Sequence, residues 1–166
     1  RIEGDRKSMA KDIIYFDEMV VGTKTVSMGR TITEADVIHF SMLSGDNRPI
    51  WCDVEYAKKY SPTGERMVDP LMIQCLYFSL LDNTEFNAQI AKSVLAFLGV
   101  TNWRYLKPVR IGDTIHATME ITHLRDNKPD RGIMTQKLSI LNQHGEVIQD
   151  GIHAAYIGKR CFFESD

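Results

Sequence analysis

The sequence has little of several features that would assign it to a membrane or nucleic-acid-binding class. No run approaches the roughly 18 consecutive apolar residues that a membrane-spanning helix needs, so we expect no contact with a membrane. Positive charge is not in excess, because 20 Lys and Arg stand against 22 Asp and Glu, for a formal net charge of -2. This balance gives no electrostatic case for DNA or RNA as the main partner.

Cysteine is also scarce, with Cys52, Cys75 and Cys161 widely spaced and no C-x-x-C pair. The pattern predicts neither a zinc site nor a disulfide framework, and it is typical of a reducing, cytoplasmic environment. Residues 1–10, "RIEGDRKSMA", lack the apolar segment of a signal peptide. We expect them to form a polar tail, with Met9 as a candidate natural start and residues 1–8 as an addition before it.

The remaining composition predicts one globular domain over residues 11–160, followed by a short tail over 161–166. The 166 residues are 43% hydrophobic and 25% charged, enough apolar surface for a core of ordinary size. Helical spacing of Ala35, Ile38 and Met42 predicts a helix over Glu34–Leu43, with Thr33 as its N-cap and Gly45 as its end. Further helices are predicted at Val54–Tyr60 and, after Pro70, at Leu71–Leu81.

Strands dominate the second half of the chain. After an edge strand at Thr23–Arg30, the period-two pattern predicts strands at Ser93–Tyr105, Thr114–Leu124, Gly132–Asn142 and Glu146–Gly158. Helices followed by strands favour an α+β fold with an antiparallel sheet. Leu71–Leu81 is apolar on nearly every side, so we expect the curved sheet to wrap around it.

Four motifs carry a resemblance to a known family. They are "TITEADVIHFSMLSGD" (Thr31–Asp46), the following "RPIWCD", "GERMVDPLM" (Gly64–Met72) and "YLKPVRIGDTI" (Tyr105–Ile115). In this order and spacing, the sequence resembles the MaoC-like, (R)-specific enoyl-CoA hydratases of the hot-dog fold over about Tyr15–Gly158.

The resemblance implies an activity and its usual active site. Family members carry Gly-Asp-x-Asn-Pro-x-His-x-Asp, whose Asp and His hold a water that adds across the double bond of an enoyl thioester. A later His-Gly pair begins the central helix, and the glycine N–H donates to the thioester carbonyl. Acyl-CoA or another acyl thioester as ligand, no cofactor and no metal, and at least a homodimer joined at Ser93–Tyr105 are therefore implied.

Only part of that active-site pattern is present. Asp46 and Asp53 match the two aspartates, whereas Arg48 replaces the asparagine and Trp51 replaces the histidine. Indole is a hydrogen-bond donor without an acceptor, so Trp51 cannot act as a base. Asp69 and Pro70 stand where the His-Gly pair belongs.

Pro70 removes the expected donor to the thioester oxygen, because proline has no N–H. Such a donor is worth about 3–4 kcal/mol of transition-state stabilisation, and the N–H of Leu71 is the candidate substitute. We predict a divergent hydratase or dehydratase with Asp46 and Asp69 as its catalytic pair. The predicted substrate-binding residues are Arg48, Trp51, Asp53, Pro70 and Leu71.

Several alternatives stay open. Asp46 is equally typical of a turn residue that caps backbone N–H groups, and two carboxylates could also bind a divalent cation. Arg48 could pair with Asp53 or Asp69, or receive a carboxylate or phosphate of a ligand. The protein could instead be a non-catalytic acyl-CoA-binding subunit, or an enzyme with a rewired Asp46/Asp69 pair. His153, like the other four histidines, belongs to no recognisable motif.

Overall fold

A computed structural model describes residues 13–164 as helices packed on an antiparallel sheet. The helices are α1 (Glu34–Ser44), α2 (Pro49–Cys52), α3 (Val54–Tyr60), α4 (Pro70–Asp82), α5 (Glu85–Ala91) and α6 (Arg160–Phe163). The strands are β1 (Lys24–Val26), β2 (Arg30–Thr31), β3 (Val94–Tyr105), β4 (Thr114–Lys128), β5 (Arg131–Leu141) and β6 (Val147–Gly158). The predicted α+β class is confirmed.

The sheet has the order β1-β4-β5-β6-β3, and β2 also pairs with β4. All the pairings are antiparallel. β4, β5 and β6 form the long central part, and β3 lies at one edge, as the sequence predicts. The β3–β6 pairing has three register shifts, and such bulges bend a strand and increase its twist.

The core lies between α4 and the inner face of this sheet. α4 buries Met72, Ile73, Tyr77, Leu80 and Leu81. The sheet contributes alternate residues, since inward positions recur with a period of two; they include Ile115, Met119, Ile121, Leu138 and Ile140. The Tyr77 hydroxyl donates to the Thr118 carbonyl at 3.0 Å. Each fully buried side chain of this size stabilises the fold by about 1.5–3 kcal/mol, so α4 is firmly held.

The burial of α4 is less complete than its composition predicts. Leu71 is 48% exposed, and Cys75 is exposed as well. Within one chain, the sheet therefore covers only one face of the apolar helix α4. The reason is geometric, because a sheet of this width wraps one face of a helix and leaves the other open.

Other differences concern short elements. The predicted edge strand Thr23–Arg30 is two strands, β1 and β2. The Ser27 hydroxyl accepts a hydrogen bond from the Ala117 N–H at 2.8 Å, and this contact interrupts the ladder of backbone hydrogen bonds.

The sequence did not predict α2 and α5. α6 spans the predicted boundary at residue 160, and its Phe163 ring lies 5.6 Å from the Tyr15 ring. The predicted tail over residues 1–10 lies outside the described residues. Within residues 13–164, the helices are all too short or too polar to cross a membrane.

Candidate functional site

The loop after α1 places Asp46 beside the start of α4. α1 begins with a capping box in which Thr33 and Asp36 satisfy each other's backbone N–H groups. It ends at Gly45, whose φ of 72° lies in the left-handed region that favours glycine. Ser41 then donates to the Asp46 carbonyl at 2.9 Å. These contacts turn the chain sharply and fix the loop that carries Asp46.

Asp69 occupies the N-cap of α4. Its Oδ1 accepts a hydrogen bond from the Leu71 N–H at 2.8 Å. Its side chain is buried, with 5% of the residue exposed. The other carboxyl oxygen, Oδ2, is buried and has no hydrogen-bond partner among residues 13–164. One carboxyl oxygen, Oδ1, therefore caps the helix, and the other, Oδ2, is left without a hydrogen bond at the site.

Arg48 pairs with Asp46, and not with Asp53 or Asp69 as the sequence suggested. Its Nε lies 2.9 and 3.0 Å from the two Asp46 carboxyl oxygens, and its Nη2 completes a fork-like contact. The Arg48 N–H also donates to Asp46 at 3.2 Å, so Asp46 is a turn residue as well as a site residue. Arg48 reaches Asp46 because the chain turns tightly between them, which brings the arginine side chain back onto the carboxylate two residues earlier.

The two carboxyl groups have pKa values displaced in opposite directions. Hydrogen bonds from Arg48 lower the pKa of Asp46 to about 2. Burial raises the pKa of Asp69, and the neighbouring charge of Asp46 raises it further. Asp69 therefore holds its proton to a higher pH than Asp46 does. Two carboxyl groups whose pKa values are moved apart are a common sign of an acid and a base with separate tasks.

Both carboxyl groups line one small cavity together with Trp51. The cavity measures about 10 Å³ and is otherwise lined by Ser41 and by the apolar Val37, Phe40 and Met72. This volume is close to that of a single water. The Trp51 N–H is buried and makes no hydrogen bond of good geometry within the described chain, although its proximity helps to lower the pKa of Asp46. One donor and two carboxyl groups thus surround a space for one small molecule.

A larger groove of about 210 Å³ lies on the other side of Trp51. Its walls are mainly apolar and include Pro70, Val109 and Leu106, with Lys107 as a charged residue among them. Gln149 donates to the Pro70 carbonyl at 2.9 Å and so fixes this end of α4 against β6. Because Trp51 lines both spaces, its indole ring forms the wall between the groove and the cavity.

The start of α4 offers no evident donor to a thioester oxygen. Pro70 lacks an N–H, the Leu71 N–H donates to Asp69 at 2.8 Å, and the Met72 N–H donates to the Asp69 carbonyl at 3.0 Å. The substitute role suggested for Leu71 would therefore require breaking the helix cap.

The other charged candidates are elsewhere or already paired. Asp53 is exposed and caps α3 by accepting from the Tyr56 N–H at 2.9 Å. Lys107 pairs with Glu146. In the described part of the chain, no three metal-ligating side chains come together.

Two residues that shape the site were missed in the sequence, Ser41 and Gln149. Gln149 had a detectable signal, because it shares the inward face of β6 with Ala155 and Ile157. A polar residue at an inward position of a strand usually has a specific partner. Ser41 had no such signal.

Comparison with known proteins agrees with the motifs. The family described as MaoC like domain matches residues 18–143. The (R)-specific enoyl-CoA hydratase of Rhodospirillum rubrum is 30% identical over 121 residues, covering 72% of this chain and 78% of that protein. Protein MaoC of Klebsiella aerogenes is 32% identical over 105 residues, which cover 63% of this chain but 30% of that protein.

A solved structure shows the same architecture. The monoamine oxidase regulatory protein of an Archaeoglobus species superposes with a TM-score of 0.84 at 34% identity, covering 90% of this chain and 97% of that one. The predicted hot-dog arrangement, a curved antiparallel sheet around one helix, is confirmed. Since the family match spans most of the chain, from residue 18 to residue 143, this protein belongs to the MaoC-like domain family.

Proposed function

We propose that the protein is a hydro-lyase that acts on acyl thioesters, with Asp46 and Asp69 in place of the usual Asp and His. The observation that carries the proposal is a pair of carboxyl groups with oppositely displaced pKa values around a cavity for one water. Relatives named (R)-specific enoyl-CoA hydratase and 3-hydroxybutyryl-CoA dehydratase support the substrate class.

In the hydration direction, each carboxyl group has one task. Ionised Asp46 accepts a proton from the water as the water oxygen bonds to C3 of the enoyl thioester. Protonated Asp69 delivers its proton to C2, so that one water is added across the double bond. The proton then passes from Asp46 to Asp69, which restores both groups, and dehydration follows the reverse path.

The arrangement predicts slow chemistry. A carboxylate whose pKa is about 2 accepts a proton less readily than a histidine, whose usual pKa is about 6.5. Trp51 also separates the cavity from the groove in which the thioester would lie. Its ring must therefore turn aside before the substrate reaches the water.

The test is hydration of crotonyl-CoA and medium-chain enoyl-CoAs, followed by the loss of absorbance of the conjugated thioester. We expect Asp46→Asn and Asp69→Asn each to reduce turnover by about 100-fold or more. Asp126→Asn is the matched control, because Asp126 is exposed and pairs with Lys159 far from the site. Full turnover in both site variants would refute the assigned roles.

A second candidate function is non-catalytic binding of an acyl thioester. It is favoured by one observation, that the first N–H groups of α4 are missing or occupied, so none is left for the thioester oxygen. Calorimetric binding of crotonyl-CoA, together with no hydration by the wild-type protein, would select this function over the first.

We also propose that the protein is a homodimer joined through β3. Support comes from the position of β3 at the sheet edge and from its exposed apolar residues, which include Leu98 and Val100. Unpaired edges of this kind are otherwise prone to association. A molar mass of about 19.0 kDa in solution, the mass of one chain, would refute the dimer. The cytoplasmic location stays a prediction.

A further inference from the structure

A second, larger cavity lies towards the other end of α4. It measures about 410 Å³, and its apolar walls include Phe78, Ile90, Phe97 and Met134. Phe78 is nine residues beyond Asp69, which corresponds to about 13 Å along a helix axis. The volume is typical of ligand sites, which are mostly apolar with a few placed polar groups. This cavity is therefore separate from the carboxyl pair.

His153 supplies one of those polar groups. The residue is 2% exposed, and its ring packs against Phe78 at 5.2 Å and Phe97 at 5.0 Å between centroids. Its Nδ1 lies 2.8 Å from Nε2 of Gln136, an amide nitrogen that can only donate. Burial lowers the pKa of His153, so the ring is neutral and its proton resides on Nε2. That N–H has no acceptor among residues 13–164.

Asn87 supplies the complementary group from α5. Its Oδ1 is buried, lines the same cavity, and has no donor among the described residues. A buried donor and a buried acceptor without partners are both unfavourable, and they are rare in folded proteins. A ligand that carries both a hydrogen-bond donor and an acceptor would match these two groups.

We propose that this cavity binds a neutral, mostly apolar molecule that carries a hydroxyl group. The hydroxyl oxygen accepts from the His153 Nε2–H, and the hydroxyl proton is donated to Asn87 Oδ1. An anionic ligand fits poorly, since Asp82 is the only charged residue lining the cavity in the described part of the chain.

Two sources could provide such a group. One is a small alcohol or phenol that binds by itself. The other is the hydroxylated end of a long acyl chain, and only this source rests on the proposed function, since the thioester would then occupy the groove beside Trp51. Both present the same chemistry to His153 and Asn87.

The first experiment is an NMR titration with 4-ethylphenol and with 4-ethyltoluene, which has the same shape but a methyl group in place of the hydroxyl. We expect 4-ethylphenol to bind about five- to tenfold more tightly, from its hydrogen bonds. It should also shift the His153 Nε2 resonance of the wild-type protein, a readout that needs no variant. Equal affinities, or no binding of either compound, would overturn the proposal.

A variant locates the recognition. Asn87→Leu should reduce the preference for 4-ethylphenol, since leucine has a similar size without the acceptor and only the His153 N–H still contacts the hydroxyl. Gln89→Leu is the control on the same helix, because Gln89 contacts Glu85 instead, and it should retain the preference. An undiminished preference in Asn87→Leu would contradict the assignment of Asn87.

The final arm distinguishes the sources. ω-Hydroxydecanoyl-CoA and undecanoyl-CoA are saturated and cannot be hydrated, so their binding is independent of turnover. Tighter binding of the hydroxylated thioester, weakened in Asn87→Leu, would assign the hydroxyl to an acyl chain. A preference seen with 4-ethylphenol alone would assign the cavity to a separate small molecule and leave the proposed function untouched.

Discussion

Replacing Asp69 by asparagine separates its structural role from its charge. Asparagine is as good an N-cap as aspartate, so its Oδ1 can keep the hydrogen bond from the Leu71 N–H. Its amide group can in addition donate to the Asp46 carboxylate, which lies beside it. The variant therefore retains the helix cap and removes a carboxyl group that is disfavoured when ionised.

The expected effect on stability depends on pH. The folded state raises the pKa of Asp69, so its contribution to stability is fully present below the unfolded value of about 3.9. It is lost as the pH rises through the folded value. Asp69→Asn escapes this loss and gains a hydrogen bond worth about 1 kcal/mol. We expect Tm at pH 7 to rise by about 2–4 °C.

Thermal unfolding followed by circular dichroism at pH 7 and at pH 4 measures this effect. Asp53→Asn is the matched control, because Asp53 is also an N-cap aspartate but is exposed on α3. The gain of Asp69→Asn over Asp53→Asn should shrink as the pH falls. A loss of stability at pH 7, or a gain that is the same at both pH values, would refute the reasoning.

Three further changes test other parts of the structure. Trp51→His restores an acceptor beside Asp46, and we expect the rate of crotonyl-CoA hydration to rise by about tenfold or more. Gly151→Ala places a methyl group 2.4 Å from the Trp103 ring, and urea denaturation should show a loss of about 1–3 kcal/mol. Leu98→Lys puts a charge on the exposed edge strand β3, and light scattering should show a dimer converted to monomers.

For each of these three variants, one outcome would contradict the prediction. No gain in Trp51→His would show that the missing histidine does not limit the rate. An unchanged urea midpoint in Gly151→Ala would contradict the close packing of Trp103 on β6. A wild-type dimer that persists in Leu98→Lys would place the interface elsewhere.

Local chemistry in the sequence was enough to predict much of the scaffold. α1 begins after Thr33 and ends before Gly45, as predicted, because helix capping depends on residues that are neighbours in the sequence. The long strands β4, β5 and β6 follow from alternation and turn residues. α2 has four residues and is too short to show a period, so its stability comes from packing that no local pattern reports. α5 is as long as the predicted α3, and its N-cap Thr84 was a local signal for it.

The side of a helix that is buried was harder to predict. The spacing of Ala35, Ile38 and Met42 predicts α1, yet Ile38 is 47% exposed and Met42 is 78% exposed within one chain. Val37 is the buried residue of α1. Helical spacing identifies a helix, whereas the partner that covers each face is decided by tertiary structure.

The sequence indicated which residues lie at the candidate site, but not which of them pair with each other. The resemblance implied that Asp46, Trp51 and Asp69 lie in the same region, and in the structure all three line one cavity. The pairing of Arg48 with Asp46 depends on the turn between them, and the sequence left that turn undetermined. The opposite pKa displacements follow from this pairing and from burial, which are both properties of the fold.

The central claim is that the two carboxyl groups beside one small cavity lose their protons in different pH ranges. Carbon-13 NMR titration of the Asp46 and Asp69 carboxyl resonances tests it most directly. We predict that Asp46 stays ionised until the pH approaches about 2, while Asp69 keeps its proton above the range usual for aspartate. If both groups titrated together near the usual value of about 3.9, the proposed division into a base and an acid would be contradicted.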